Sequence, residues 1–231
     1  PQFHRFEGSF SAVAEIKCPI QYTGFVAQAL TESATGTTED VIDLARTNPT
    51  ILISVGGGQL GHDLLDAVVA ASPILAARLP EYHLQVFTGP FIPIDRFQAL
   101  ESAAVGQNNL TLRKFTTQFL TYMHKAKLSI SLGGYNTTMN ILRTGVNSMI
   151  LPSNKDWEQT VRAEKLERMG MLTMLQSEDL QPEQFADKIV RAIEKQHTPK
   201  LDKSFDLDGA EKTKIAIGNL LSRLTSPPIV S

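Results

Sequence analysis

From Thr50 onward, short continuous apolar runs alternate with longer stretches in which apolar residues recur at helical spacing. Continuous runs predict strands at Thr50 to Val55, Tyr82 to Thr88, Leu110 to Leu112, Leu128 to Leu132, Ser148 to Leu151 and Leu172 to Leu175. Such runs, rich in β-branched residues and unbroken by polar ones, suit strands buried on both faces. Between them the spacing predicts helices from about His62 to Leu79, Ile94 to Ala104, Thr117 to Lys125, Asn136 to Arg143, Trp157 to Met169 and Pro182 to Gln196. In the first of these, Leu64, Leu65, Val68 and Val69 share one face. Five or six strands alternating with helices give an α/β protein: a single Rossmann-like domain with a parallel sheet and helices on both faces.

The two ends of the chain read differently. Residues 1–48 hold mixed, short apolar stretches, Pro19, and a run from Thr31 to Asp40 of Thr, Ser, Gly, Glu and Asp, as expected of a linker. A helix is predicted over Glu39 to Arg46. Residues 198–208 are polar and irregular, and Ile215, Ile217, Leu220 and Leu221 give a last helix, Gly209 to Leu224, an apolar stripe. The expected organisation is a lead-in segment and linker over 1–48, a core domain over 49–197 and a crossing helix with a disordered tail over 198–231.

Composition narrows the function classes. The chain has 231 residues, is 42% hydrophobic and 20% charged, and carries a net charge of −2 with no basic stripe. That excludes nucleic acid as the main partner. Cys18 is the only cysteine, so there is no internal disulfide and no cysteine metal cluster, and a reducing, cytoplasmic setting is expected. The five histidines have no ligand spacing. No apolar run approaches the about 20 residues of a membrane span. The chain begins at Pro1 with no signal-peptide pattern, and is expected to be a piece of something longer.

Three turns carry candidate chemistry. Gly56-Gly57-Gly58-Gln59-Leu60-Gly61 follows the first strand and formally fits G-x-G-x-x-G. A dinucleotide site also needs an acid at the end of the next strand for the ribose, and Val86-Phe87-Thr88-Gly89-Pro90 supplies none. A sugar-phosphate loop and a plain tight turn both remain open. Gly133-Gly134 follows the fourth strand, and Asn136 or Thr137 is expected to cap the next helix, whose N-terminus suits a phosphate. Neither turn continues into Gly-Lys-Ser/Thr, which argues against hydrolysis of ATP or GTP. The third turn, Lys155-Asp156-Trp157-Glu158-Gln159, offers hydrogen-bonding groups for a polyhydroxylated ligand, or simply the acidic start of a helix.

These motifs, in this order, resemble the C-terminal, nucleotide-sugar-binding domain of the GT-B glycosyltransferases, the glycosyltransferase family 28 C-terminal type. That group includes the muropeptide N-acetylglucosamine transferase and the UDP-glycosyltransferases. Ile51 to Gln59 is similar to its first-strand glycine turn, and Leu132 to Thr137 to its His-Cys-Gly-Trp-Asn-Ser turn. Asp156 to Gln159 resembles its acid-Gln pair, Phe115 to Gln118 its base-stacking segment, and Tyr22-Thr23-Gly24 its strand leading in between domains. The resemblance implies donor contacts from Gly57, Gly58 and Gln59 on one side of a diphosphate, and from Gly133, Gly134, Asn136 and Thr137 on the other. Phe115 and Gln118 would meet the base, Asn140 the ribose, and Glu158 and Gln159 the sugar. There are departures: Leu132 stands where the family has histidine, Asn140 where many members have glutamate, Thr116-Thr117 where a proline precedes the glutamine, and Arg162 where Asn is frequent.

The resemblance implies a UDP-sugar-binding half of a hexosyltransferase that uses no cofactor and no metal. A GT-B enzyme has two such domains, and the acceptor site and usual base lie in the N-terminal one. An acceptor-binding half in the same or a separate chain is therefore the expected partner, with peripheral membrane contact through that half. Phe3, Phe6, Phe10 and the last helix would pack against it. Alternatives are a UDP-sugar hydrolase or epimerase, for which His62 is the nearest base, and a noncatalytic nucleotide-sugar-binding module.

Overall fold

The computed structural model describes residues 10–30, 36–153, 156–195 and 205–225. Phe3, Phe6, residues 31–35, Lys155, residues 196–204 and the tail beyond Thr225 lie outside the described residues. The chain divides into two compact units, one within Leu30–Lys200, the other made of Pro1–Ala29 and Leu201–Ser231.

The larger unit opens with α1 (Thr38–Leu44) and then alternates strictly: β1 (Thr50–Ser54), α2 (His62–Arg78), β2 (His83–Phe87), α3 (Ile94–Ala103), β3 (Leu110–Arg113), α4 (Phe119–Lys125), β4 (Leu128–Leu132), α5 (Tyr135–Thr144), β5 (Ser148–Leu151), α6 (Trp157–Arg168), β6 (Thr173–Met174) and α7 (Pro182–Glu194). The strands form one parallel sheet in the order β3-β2-β1-β4-β5-β6. β1, β2 and β5 are buried almost throughout, as their continuous apolar runs require. Leu64, Leu65 and Val68 of α2 pack with Phe185, Ala186 and Ile189 of α7 in one core cluster. Met123 of α4 and Met139 and Leu142 of α5 are also buried. This is a Rossmann-like α/β unit with six parallel strands, as the sequence leads one to expect.

As the spacing predicts, α2 is one helix, and it runs unbroken through Ser72 and Pro73 to Arg78. Asn109 brackets that turn: it accepts from Ser72 Oγ at 2.9 Å and donates Nδ2 to the Ser72 carbonyl at 3.0 Å. α1 belongs to the larger unit, where Asp40 and Asp43 are buried.

In the smaller unit, α8 (Gly209–Thr225) follows a segment paired with the N-terminal strand-like stretch. Phe25 N donates to Asp206 O, Gly209 N donates to Phe25 O, and the Phe25 and Phe205 rings stack at 6.2 Å. Thr23 and Thr213 join through their hydroxyls at 2.8 Å. Ile215, Ile217, Leu220 and Leu221 of α8 are exposed.

Candidate functional site

β1 and β4 are neighbours, paired from Ile51↔Leu128 to Ser54↔Ser131. The sheet grows from β1 toward β3 on one side and from β4 toward β6 on the other. The turns after β1 and β4 therefore flank the point where the order reverses, which is where open α/β sheets bind ligands. They touch: a Cβ on Gly61, at the end of the first turn, would lie 2.9 Å from Leu132 at the start of the second.

The glycines of these turns serve different purposes. A Cβ on Gly56 or Gly134 would meet nothing within 4 Å, so both leave backbone open to an incoming group. Gly57 is exposed beside the Phe91 ring, and Gln59 is exposed. Gly58 is buried at φ +90, and its Cβ would fall 2.5 Å from the Thr88 carbonyl oxygen. Gly89, also at φ +90, would put a Cβ 2.3 Å from Gly58 N. The turns after β1 and β2 thus meet backbone to backbone, and Gly58 faces that contact rather than the open edge.

α5 begins at Tyr135, with Gly134 as its N-cap and no side-chain cap. The expectation that Asn136 or Thr137 caps it is corrected: both lie in the first turn, because the extended ψ of 148° at Gly134 already starts the helix there. Asn136 is exposed and Thr137 half-buried. Without a cap, the first N–H groups and the positive end of the helix dipole face outward. Asn140, a turn further on, is only 9% exposed.

The turn after β5 closes on the same place. Asp156 caps α6, its carboxylate accepting from Glu158 N at 3.0 Å and Gln159 N at 3.2 Å. The Gln159 backbone and side-chain amides, ahead of the Glu158 N–H and the Arg162 charge, hold Asp156 below the usual carboxylate range. Gln159 donates Nε2 to Asp156 at 2.9 Å and accepts from Ser153 N at 3.2 Å, so both ends of its amide are engaged. Its Oε1 lies where a Cβ on Gly133 would come within 3.2 Å. Glu158 is exposed and pairs with Arg162 Nη1 at 2.7 Å. Arg162, 8% exposed, also donates Nη2 to the Gly133 carbonyl at 3.0 Å, and its guanidinium lies 5.7 Å from the Tyr135 ring centre.

Phe115 and Gln118 follow β3, three strands from β4, or about 14 Å at ordinary strand spacing. Phe115 is exposed, whereas Gln118 is buried, with its Oε1 taken by the Thr121 hydroxyl. The segment between them is tied to α1. Thr116 Oγ1 donates to Asp40 at 2.8 Å and accepts from Gln118 N at 2.9 Å, and Tyr122 OH donates to Asp40 at 3.0 Å. Burial works to raise the Asp40 pKa, but the bonds from Thr116, the Thr37 backbone, Tyr122 and the Thr37 hydroxyl prevail and hold it below the usual value. Arg113 adds ion pairs to Glu39 at 2.5 Å and Asp43 at 2.7 Å.

The structure thus gathers Gly57, Gln59, Gly133, Gly134, Asn136, Thr137, Glu158 and Gln159 at one edge. Phe115 stands further along that edge, while Gly58, Gln118 and Asn140 turn inward. His62, the base named for the hydrolase alternative, donates Nε2 to the Gly58 carbonyl at 3.0 Å. Leu60, Phe91, Phe115, Tyr135 and Trp157, one from each turn after β1 to β5, are exposed apolar side chains. A cleft of about 330 Å³ between α2 and α3, lined by Asp66, Val69, Pro73, Arg96 and Leu100, lies on the flank of the sheet. Asp40 and Arg162 were not legible as site residues: the sequence marks Asp40 only as linker and Arg162 only as a departure. No helix among the described residues is long and apolar enough to cross a membrane, and no cluster of metal-ligating side chains occurs among them.

Solved structures with this architecture include glycosyltransferases and an epimerase. The chain superposes on CalG4, the calicheamicin glycosyltransferase, with a TM-score of 0.59 at 16% identity, covering 78% of this chain and 45% of that one. Acinetobacter baumannii MurG gives 0.57 at 17% identity, covering 78% and 52%. A Listeria monocytogenes protein assigned as a UDP-N-acetylglucosamine 2-epimerase gives 0.61 at 13% identity, covering 84% and 50%. At these identities the likeness establishes the fold alone, and the chain spans about half the length of each. No curated protein matches the chain. The sequence profile of the glycosyltransferase family 28 C-terminal domain matches residues 50–216, most of the chain. The chain belongs to that family, with its glycine turns and uncapped α5 at the sheet's switch point.

Proposed function

We propose that this chain is the donor half of a glycosyltransferase that takes a hexosyl group from a UDP-sugar and passes it to an acceptor held by another half. The observation that carries this is the meeting of two open glycine turns with the uncapped N-terminus of α5 where β1 and β4 part. The diphosphate lies over Gly57 and Gln59 on one side and Gly134, Asn136 and Thr137 on the other. Phe115 meets the base, and Glu158 and Gln159 the sugar. As the bond between the anomeric carbon and the diphosphate breaks, charge grows on the departing oxygen. The α5 dipole and N–H groups, fixed before reaction, stabilise it. Transfer also needs an acceptor within about 3–3.5 Å of the anomeric carbon and a base for its proton. The exposed apolar side chains of five successive turns suit a second half closing over this edge, and the exposed thiol of Cys18 suits a reducing cytoplasm.

The test is release of UDP from UDP-N-acetylglucosamine and other UDP-sugars, with and without an N-terminal half and an acceptor lipid. The chain alone should bind donor and release no UDP. Turnover by the chain alone would favour the hydrolase, and change of the sugar without UDP release would favour the epimerase, a reading kept open by the Listeria likeness.

A further inference from the structure

We infer that Arg162 is a positioning residue that aims the Gly134 N–H at the donor's phosphate, an inference that rests on the donor-site reading above. Three observations carry it. First, the Arg162 guanidinium is buried, and its Nη2 donates to the Gly133 carbonyl at 3.0 Å. That carbonyl and the Gly134 N–H belong to one peptide unit, and no peptide bond is cis among the described residues. In a trans peptide the two groups point in opposite directions. A bond that fixes the carbonyl toward the α6 side therefore fixes the N–H away from it.

Second, the Gly134 N–H donates to no acceptor among the described residues, and a Cβ on Gly134 would meet nothing within 4 Å. The preceding amide, Gly133 N, is already spent on the Leu151 carbonyl at 3.2 Å. Gly134 is thus the first open donor in the turn, one residue before the uncapped start of α5.

Third, Arg162 is held on every side that matters. Its Nη1 pairs with Glu158, the Tyr135 ring lies beside it, and it rises from α6, whose start is fixed by the Asp156 cap. Its Nε is buried without a hydrogen bond, so the side chain accepts a desolvation cost to keep this pose. A charge-assisted bond to a carbonyl also polarises the peptide and makes its N–H a stronger donor. Glycine pairs are free to rotate such a peptide; Arg162 removes that freedom. Leu132 leaves no side-chain donor at the start of this turn, which places more of the phosphate recognition on the backbone.

The experiment compares Arg162→Met, which fills the space without a donor, and Arg162→Gln, which keeps an N–H within reach of the Gly133 carbonyl. UDP binding is measured by calorimetry, and the Gly134 amide is followed by NMR with and without UDP. Thermal melts check that each variant is folded. In the unsubstituted chain UDP should shift the Gly134 amide downfield. Arg162→Met should lose about tenfold in UDP affinity, the worth of one bond to a charged group, and the Gly134 response with it. Arg162→Gln should recover most of both, which a role confined to packing or to the Glu158 pair would not produce. UDP affinity within about twofold of the unsubstituted chain in Arg162→Met, or an unchanged Gly134 response, overturns the inference while leaving the donor site standing. If the unsubstituted chain binds neither UDP nor UDP-N-acetylglucosamine, the donor-site reading falls, and the inference with it.

Discussion

Removing the carboxylate of Asp40 should destabilise the larger unit and loosen the segment that carries Phe115. Oδ1 accepts from the Thr116 hydroxyl at 2.8 Å and the Tyr122 hydroxyl at 3.0 Å, and Oδ2 from Thr37 N at 3.0 Å and the Thr37 hydroxyl at 3.1 Å. Taken singly, four hydrogen bonds to a charged group would sum to about 6–12 kcal/mol. The true loss is smaller, because the groups of exposed Thr37 can turn to water. What Asp40→Ala leaves behind is two buried hydroxyls without partners, each costing about 1–3 kcal/mol, so about 4 kcal/mol in all is expected. Asp40→Asn should cost much less, about 1–2 kcal/mol. Its remaining oxygen can serve the Thr37 N–H, which cannot reverse its role, while the Thr116 and Tyr122 hydroxyls can rotate and accept from the new amide. Urea unfolding followed by circular dichroism at 222 nm measures both. UDP affinity should fall in Asp40→Ala, since Thr116 also orders Gln118 N. Equal destabilisation by Ala and Asn, or a cost below about 1 kcal/mol for Ala, would refute the assignment of Asp40 as the clamp.

Asn136→Ala should weaken UDP and UDP-sugar alike, whereas Glu158→Ala should weaken only the UDP-sugar; equal loss of UDP in both variants, read by calorimetry, would contradict the division of the edge into phosphate and sugar ends. UDP should bind better than NAD, because no acid follows β2 to hold a second ribose, and tighter NAD binding would sink that argument. Burial, aided by the Arg46 charge and opposed by Asp43, lowers the His83 pKa from 6.5 to about 4. Above about pH 6.5 the ring is neutral in both states; between 6.5 and 4 the unfolded chain binds a proton that the folded one excludes. Stability should therefore fall by about 3 kcal/mol as pH drops through that window, and His83→Gln, which keeps a hydrogen-bonding amide for Thr111, should flatten that part of the urea-midpoint profile; an unchanged slope refutes it.

Much of the fold was legible because the local signals agreed. The strands β4, Leu128–Leu132, and β5, Ser148–Leu151, have the bounds that their runs predict. Boundaries drifted where the signal is tertiary. The last strand shrinks to Thr173–Met174 because only those residues pair with β5. The cap of α5 was misplaced because Asn136 and Thr137 are good capping residues in isolation, and only the backbone at Gly134 decides which position is used. The motifs led to one edge of the sheet but not to the residues that support it. Asp40 reaches partners 76 and 82 residues away, and Gly58 is required by Gly89, so no window of the sequence contains either relation. Arg162 could have been suspected from its spacing of four residues from Glu158, though not its grip on Gly133.

The contact between Gly58 and Gly89 has a consequence for how a donor is received. A glycine-rich loop is ordinarily the most mobile part of a molecule, and ordering it on binding consumes affinity. Here the two bare backbones leave no space for a methyl group between them, and Phe91 N adds a hydrogen bond to Gly57 O at 2.9 Å. Residues whose flexibility would otherwise slow recognition are locked by their own smallness. The shelf formed by this turn is therefore set before any ligand arrives, so under the proposed donor reading capture here is docking onto a standing surface, and the movement that follows falls to the proposed acceptor half.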